Sequence, residues 1–273
     1  MTISLVAGAF GALIGSFLNV VVYRVPARRS IVSPPSACGA CGHAIRPYDN
    51  IPVVSWLVLR GRCRDCQAAI SPRYPLVELA TAVFFAVVAW VFAPDIVDAT
   101  SPAALAAGIV QFIAYLYLAA ISIALALIDL DTRRLPNVLV LPAYAVGGLL
   151  LTTVAALRGD WGALATAGLG LVIWGGLYFA LALAWPGGMG FGDVKLAGAL
   201  GLFLGFLGWP TLGVGIVAGF LAGGIFGIAL MLAGRGRKAA IAFGPWMLLG
   251  AWVGILGGPA IFHGYLGLFG LAL

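Results

Sequence analysis

The sequence predicts an all-α polytopic membrane protein of about eight transmembrane helices, with a small cysteine-bearing domain between the first two. Three observations carry that reading. Of 273 residues, 63% are hydrophobic and only 9% charged, with a mean hydropathy of +1.10; a soluble domain carries about 25% charged residues. The apolar segments mostly run for roughly 17–25 residues, the length that takes an α-helix across about 30 Å of hydrocarbon. They are continuous rather than alternating, which selects helices over a membrane barrel.

In chain order, spans are expected at residues 3–23, 75–92, 104–128, 138–157, 163–185, 196–209, 211–233 and 239–256. No charged leader region opens the first span and no small-residue cleavage site follows it, so it reads as retained rather than as a signal peptide. Gly8, Gly11 and Gly15 within it are expected to let a neighbouring helix approach closely. The sixth span is short: about 14 residues at 1.5 Å per residue cover about 21 Å. Either the bilayer thins there or the preceding loop dips below the surface. After the last span, Gly257-Gly258-Pro259 is expected to break the helix.

Orientation follows from charge. With the N-terminus outside, 14 of the 15 basic residues fall in inside loops and only Arg158 lies outside, as the positive-inside rule requires. The net charge of +6 is then a membrane-topology signal, and no nucleic-acid partner is expected. The chain divides into a first helix (residues 1–23), a cytoplasmic domain (24–74) and a membrane-embedded domain (75–273).

The 24–74 segment is too small for a sizeable core, and domains of about 50 residues usually need a staple. Cys38-Gly-Ala-Cys41 and Cys63-Arg-Asp-Cys66 are two CxxC motifs 21 residues apart, with no cysteine left over. Four thiolates grouped in twos match a closed tetrahedral structural zinc site. Gly42 suits a knuckle turn, and Arg62 and Arg64 are expected to favour thiolate over thiol. Two disulfides are the competing reading, and a reducing cytoplasm argues against them. His43 is a spare candidate ligand beside a shell that the cysteines already fill.

Two acidic segments interrupt the apolar sequence. Trp185-Pro-Gly-Gly-Met-Gly-Phe-Gly-Asp-Val-Lys195 follows the fifth span, and Asp129-Leu-Asp-Thr-Arg-Arg-Leu-Pro136 follows the third. An acid at the membrane edge is costly unless it has a function, and the glycines permit positive φ, so a shaped loop presenting Asp193 is expected. Both spans run outside to inside, which places Asp129 and Asp193 at the same cytoplasmic edge although they are 64 residues apart. Two close carboxylates separate their ionisations and can act as the general acid and base of an aspartic protease. The competing reading makes Asp129 a helix cap neutralised by Arg133 and Arg134. Asp131 is expected to support Asp129. Glu78 either makes a structural hydrogen bond or faces a polar cavity, and Ser16 and Asn19 are expected to bond between helices. A small transporter with broken helices and a non-catalytic, zinc-dependent assembly factor are the alternatives from other classes.

The ordered motifs add a resemblance. Gly15-Ser-Phe-Leu-Asn-Val-Val-Val-Tyr-Arg-Val-Pro26, the paired CxxC motifs, Ile70-Ser-Pro-Arg-Tyr-Pro-Leu-Val-Glu78, Ile128-Asp-Leu-Asp-Thr-Arg-Arg-Leu-Pro136, Gly188-Met-Gly-Phe-Gly-Asp-Val-Lys-Leu196 and Phe243-Gly-Pro245 together resemble the type IV prepilin peptidases, the GxGD membrane aspartyl proteases. The resemblance implies Asp129 and Asp193 as the catalytic pair, supported by Gly190, Gly192 and Lys195. It also implies removal of a basic leader from prepilins or pseudopilins at the cytoplasmic face of a bacterial inner membrane. Members with such a cysteine domain typically also methylate the new N-terminus from S-adenosylmethionine, and the family pattern puts Gly61 among the residues important for that step. No Rossmann-type glycine fingerprint is present.

Overall fold

The computed structural model describes residues 1–185, 189–233 and 242–270. Gly187, Gly188, Arg235, Arg237, Lys238 and the start of the last expected span lie outside the described residues. Among those described there are ten α-helices, one 3₁₀ turn at Pro47–Asn50 and no extended strand. The helices are α1 (Thr2–Arg24), α2 (Val54–Val58), α3 (Arg73–Phe92), α4 (Pro94–Val97), α5 (Pro102–Thr132), α6 (Asn137–Arg158), α7 (Trp161–Ala184), α8 (Phe191–Phe206), α9 (Trp209–Leu232) and α10 (Gly244–Leu268). Seven of them are long and apolar enough to cross a membrane. The remaining expected span is α8, whose 16 residues reach about 24 Å.

Three boundaries differ from the sequence expectation, and two of them matter for function. α5 continues to Thr132, so Asp129 and Asp131 lie in its final turn rather than in a loop. α8 starts at Phe191, so Asp193 lies inside a helix. α10 runs unbroken through Pro259. A Cβ on Gly258 would come within 2.8 Å of the Thr211 Cα. That close packing against α9 holds the helix together where the proline removes one backbone bond.

The chain forms two compact units, residues 1–98 with 115–124, and residues 99–114 with 125–273. In the first unit α1 packs along α3. A Cβ on Gly11 would lie 2.8 Å from the Thr81 carbonyl oxygen, and one on Gly15 would lie 2.7 Å from the Glu78 Cα. The expected close approach is therefore real, and Asn19 secures it by donating its amide to the Tyr74 carbonyl at 3.2 Å. In the second unit α8 is the central helix. Leu196 to Phe206 are all buried beneath α6, α7, α9 and α10. A helix apolar on every side belongs in a core, and this one carries Asp193 at its first turn.

Candidate active site

Asp129 is 4% exposed and sits in the last turn of α5, at the end of a helix whose dipole disfavours an anion. Its stabilising partner is tertiary: the Gly244 backbone N–H, from the head of α10, donates to Asp129 Oδ2 at 3.0 Å. A Cβ on Gly244 would lie 2.7 Å from that oxygen. The glycine is what lets the main chain reach the carboxylate.

Asp193 is the third residue of α8 after the N-cap Gly190. Its carboxylate accepts from the Gly190 N–H, the reach-back half of a capping box, at the helix end where the dipole favours an anion. The glycines here do something other than expected. Gly190 has φ −75°, and Gly192 is not among the positive-φ glycines. Their lack of a side chain is what counts. A Cβ on Gly190 would lie 3.2 Å from Asp193 Oδ2, and one on Gly192 would lie 3.1 Å from the Leu135 Cβ. Leu135 also lies 3.2 Å from the position a Gly244 Cβ would take, so one leucine separates the backbones that serve the two acids.

The surrounding residues sort by unit. Lys195 Nζ donates to Asn137 Oδ1 at 3.1 Å and lies 5.4 Å from the centroid of the Phe191 ring. Asp131 is exposed, and two residues of helix turn it about 200° from Asp129. Tyr178, Phe220 and Phe243 form an aromatic cluster with centroids 5.3–6.1 Å apart, and Phe243 directly precedes Gly244 in sequence. Sequence reasoning carried Phe243-Gly-Pro245 and Leu135 only within motifs and missed Asn137 and Tyr144 altogether. A Gly-Pro pair at the head of an apolar helix was the one local signal.

Glu78 and Gly61 belong to the first unit. Glu78 is buried and accepts the Val53 N–H at 2.6 Å, which selects the structural reading of that acid. Val53 has φ +62°, a genuine outlier for a β-branched residue. Gly61, at φ +67°, closes a turn beneath Trp56: a Cβ there would lie 2.9 Å from the indole. A cavity of about 300 Å³ opens nearby, lined by Ser16, Phe17 and Arg24 of α1 together with Ile31, Ser36 and Asn50 among others. Its volume is at the lower end of small-molecule sites, and polar and apolar groups share its walls about equally.

The four cysteines come together with all Sγ atoms within 4.8 Å of one another and none in a disulfide. Cys38 and Cys66 Sγ are 3.8 Å apart, which equals the edge of a tetrahedron built on Zn–S bonds of about 2.3 Å. The residues fit a closed metal site. Each pair sits on its own knuckle. Gly42 donates to the Cys38 carbonyl, and Gln67 to that of Cys63, with Gly42 at φ +73° and Gln67 at +60°. His43 is exposed and contributes only its carbonyl, to the Cys38 N–H.

Thiolate stabilisation departs from expectation. The Cys41 and Ala40 backbone N–H groups draw the Cys38 thiol down to about 6. Arg64 is committed elsewhere, to a bidentate pair with Asp49 at 2.6–3.0 Å, which holds that carboxyl below the usual range. Arginine's planar fork matches a carboxylate far better than a thiolate. Arg46 pairs with Asp65 at 2.8 Å, joining the second knuckle to the chain after the first.

Residues 9–92 match the Bacterial Peptidase A24 N-terminal domain, and residues 116–232 match the Type IV leader peptidase family. The chain is 39% identical over 286 residues to the prepilin leader peptidase/N-methyltransferase of Aeromonas salmonicida (strain A449), covering 94% of this chain and 91% of that one. Identity to the Pseudomonas aeruginosa protein of the same name is 37%, with the same coverage. For Neisseria gonorrhoeae it is 35%, over 90% of this chain and 88% of the relative. No solved structure matches.

Proposed function

The chain belongs to the type IV leader peptidase family, and from that premise we propose that it removes leader peptides from prepilins or pseudopilins, with Asp129 and Asp193 as catalytic dyad, and then methylates the new N-terminus. The observation that carries the dyad is that Leu135 lies against both Gly192, next to Asp193, and Gly244, whose N–H binds the buried Asp129. One carboxylate takes a proton from water as the water oxygen bonds to the scissile carbonyl carbon. The other, protonated, gives its proton to the carbonyl oxygen. The C–N bond then breaks as a proton passes to the leaving nitrogen, leaving a leader carboxylate and a free amine.

The reading sets the protein in a bacterial cytoplasmic membrane, with the cysteine domain and both acids on the cytoplasmic side. The basic residues between α1 and α3 and around α8 support it. Cys38, Cys41, Cys63 and Cys66 would hold a structural zinc ion. Asn50, Ser36 and Arg24 at the α1 cavity would bind a methyl donor. Bound there, S-adenosylmethionine would supply an electrophilic methyl group, its methyl–sulfur bond giving way to the new N–C bond, with the thioether as leaving group and one proton lost from the amine.

Co-expression with a prepilin followed by intact-mass measurement tests both halves. The expected product lacks its leader and carries one added methyl. An intact leader would overturn the proteolytic reading; a trimmed but unmethylated product would overturn the second half alone. Gly244→Ala gives a further expectation. Its Cβ would push on Asp129 Oδ2, and a displacement near 1 Å costs about 10²-fold in rate, read as kcat for leader removal at nearly constant KM.

A further inference from the structure

The first two turns of α8 are held by a polar tether that neither the family match nor the dyad assigns. The Tyr144 hydroxyl, from α6, donates to the Lys195 carbonyl. A carbonyl oxygen has two lone pairs, so this one can take the tyrosine proton besides its place in the helix ladder. The tyrosine thus grips the backbone of α8 from the side, within its second turn. Gly198 makes it possible, since a Cβ there would collide with the Tyr144 hydroxyl. Two further contacts join the same stretches of chain. Lys195 Nζ donates to Asn137 Oδ1 at 3.1 Å, and a Gly192 Cβ would lie 3.1 Å from Leu135.

Asp193 lies two residues before Lys195, on the turn that these contacts immobilise. Leu135, at the other end of the same strut, also adjoins Gly244, which binds Asp129. We infer that Tyr144 is a positioning residue: its hydroxyl, admitted by Gly198, sets the height and rotation of the first turns of α8 and so the placement of the Asp193 carboxylate relative to Asp129. The inference rests on the dyad reading above. The tether is polar and specific, so phenylalanine keeps its packing and loses its function. Without the hydroxyl the Lys195 carbonyl loses its link to α6, and the first turns of α8 are free to shift against it.

The test is leader-removal kinetics and thermal stability of the full-length protein in detergent for three variants. Tyr144→Phe is expected to lower kcat about 10–100-fold, with KM within about twofold and the melting temperature nearly unchanged. Gly198→Ala leaves the tyrosine in place but drives its hydroxyl off the helix. It is expected to lose kcat similarly and also stability, through overpacking. The double variant Tyr144→Phe/Gly198→Ala should recover the stability, because the new methyl occupies the vacated space, and should not recover kcat. Wild-type kcat in either single variant that inserts, or recovery of kcat in the double variant, overturns the inference. Asp193→Asn measured alongside separates the two ideas: if it still cleaves, the dyad itself fails, whatever the tyrosine variants do.

Discussion

Asp193→Asn and Asp129→Asn are each expected to reduce leader removal by about 10³-fold or more, within the range that positioned acid–base groups supply. Asparagine is nearly isosteric with aspartate, and its amide oxygen can still accept from the Gly244 N–H in one case and the Gly190 N–H in the other. Both variants should therefore insert and fold. What is lost is the ability to exchange a proton, and a dyad needs that ability at both positions. The double variant is accordingly expected to be no worse than either single one, as residues acting as a unit are strongly non-additive. A prepilin peptide assayed by mass spectrometry reads all three. Retention of more than about a tenth of the wild-type rate in either single variant would remove that residue from the dyad. Asp131→Asn, exposed on the opposite side of α5, should change the rate little.

The second large effect is expected from Cys63→Ser. Cys63 is the buried member of the cluster, and losing one of four ligands opens the metal site. Structural zinc contributes an apparent 10–16 kcal/mol or so to small metallo-domains at neutral pH, whereas a core of this size supplies about 3–5 kcal/mol. The ion pairs Arg46–Asp65 and Arg64–Asp49 put their arginines in solvent and contribute little. They cannot make up the difference. The knuckles should unravel, and with them the Asn50 wall of the adjoining cavity. Metal analysis should find the variant without zinc, and methylation should fall at least tenfold, or about 1.4 kcal/mol. Leader removal should survive far better, because both acids lie in the other compact unit. Full zinc occupancy in Cys63→Ser would sink the four-cysteine site; equal loss of both activities would sink the division of labour.

Much of this molecule was readable from composition and spacing. Apolar runs of bilayer length must be helical, because no water in the hydrocarbon satisfies a backbone that is not. The cysteine spacing alone pointed to one metal-binding cluster, which the fold assembles with Sγ atoms within 4.8 Å. The two important acids stood out as charges that apolar sequence does not tolerate without reason. All of these are local or compositional signals.

The tertiary structure decided where each acid sits and what holds it. Periodicity ends a span when its apolar residues end, so sequence reasoning left Asp129 and Asp193 in loops. The helices instead continue through them, since buried backbone must stay hydrogen-bonded and neighbouring helices make that possible. Gly244 reaches Asp129 across 115 residues, Tyr144 reaches the Lys195 carbonyl of α8 across 51, and Arg64 leaves the thiols for Asp49. None of these has a period, a spacing or a neighbour in the chain to announce it. Each depends on which helix face meets which, and packing settles that only when the whole fold is assembled.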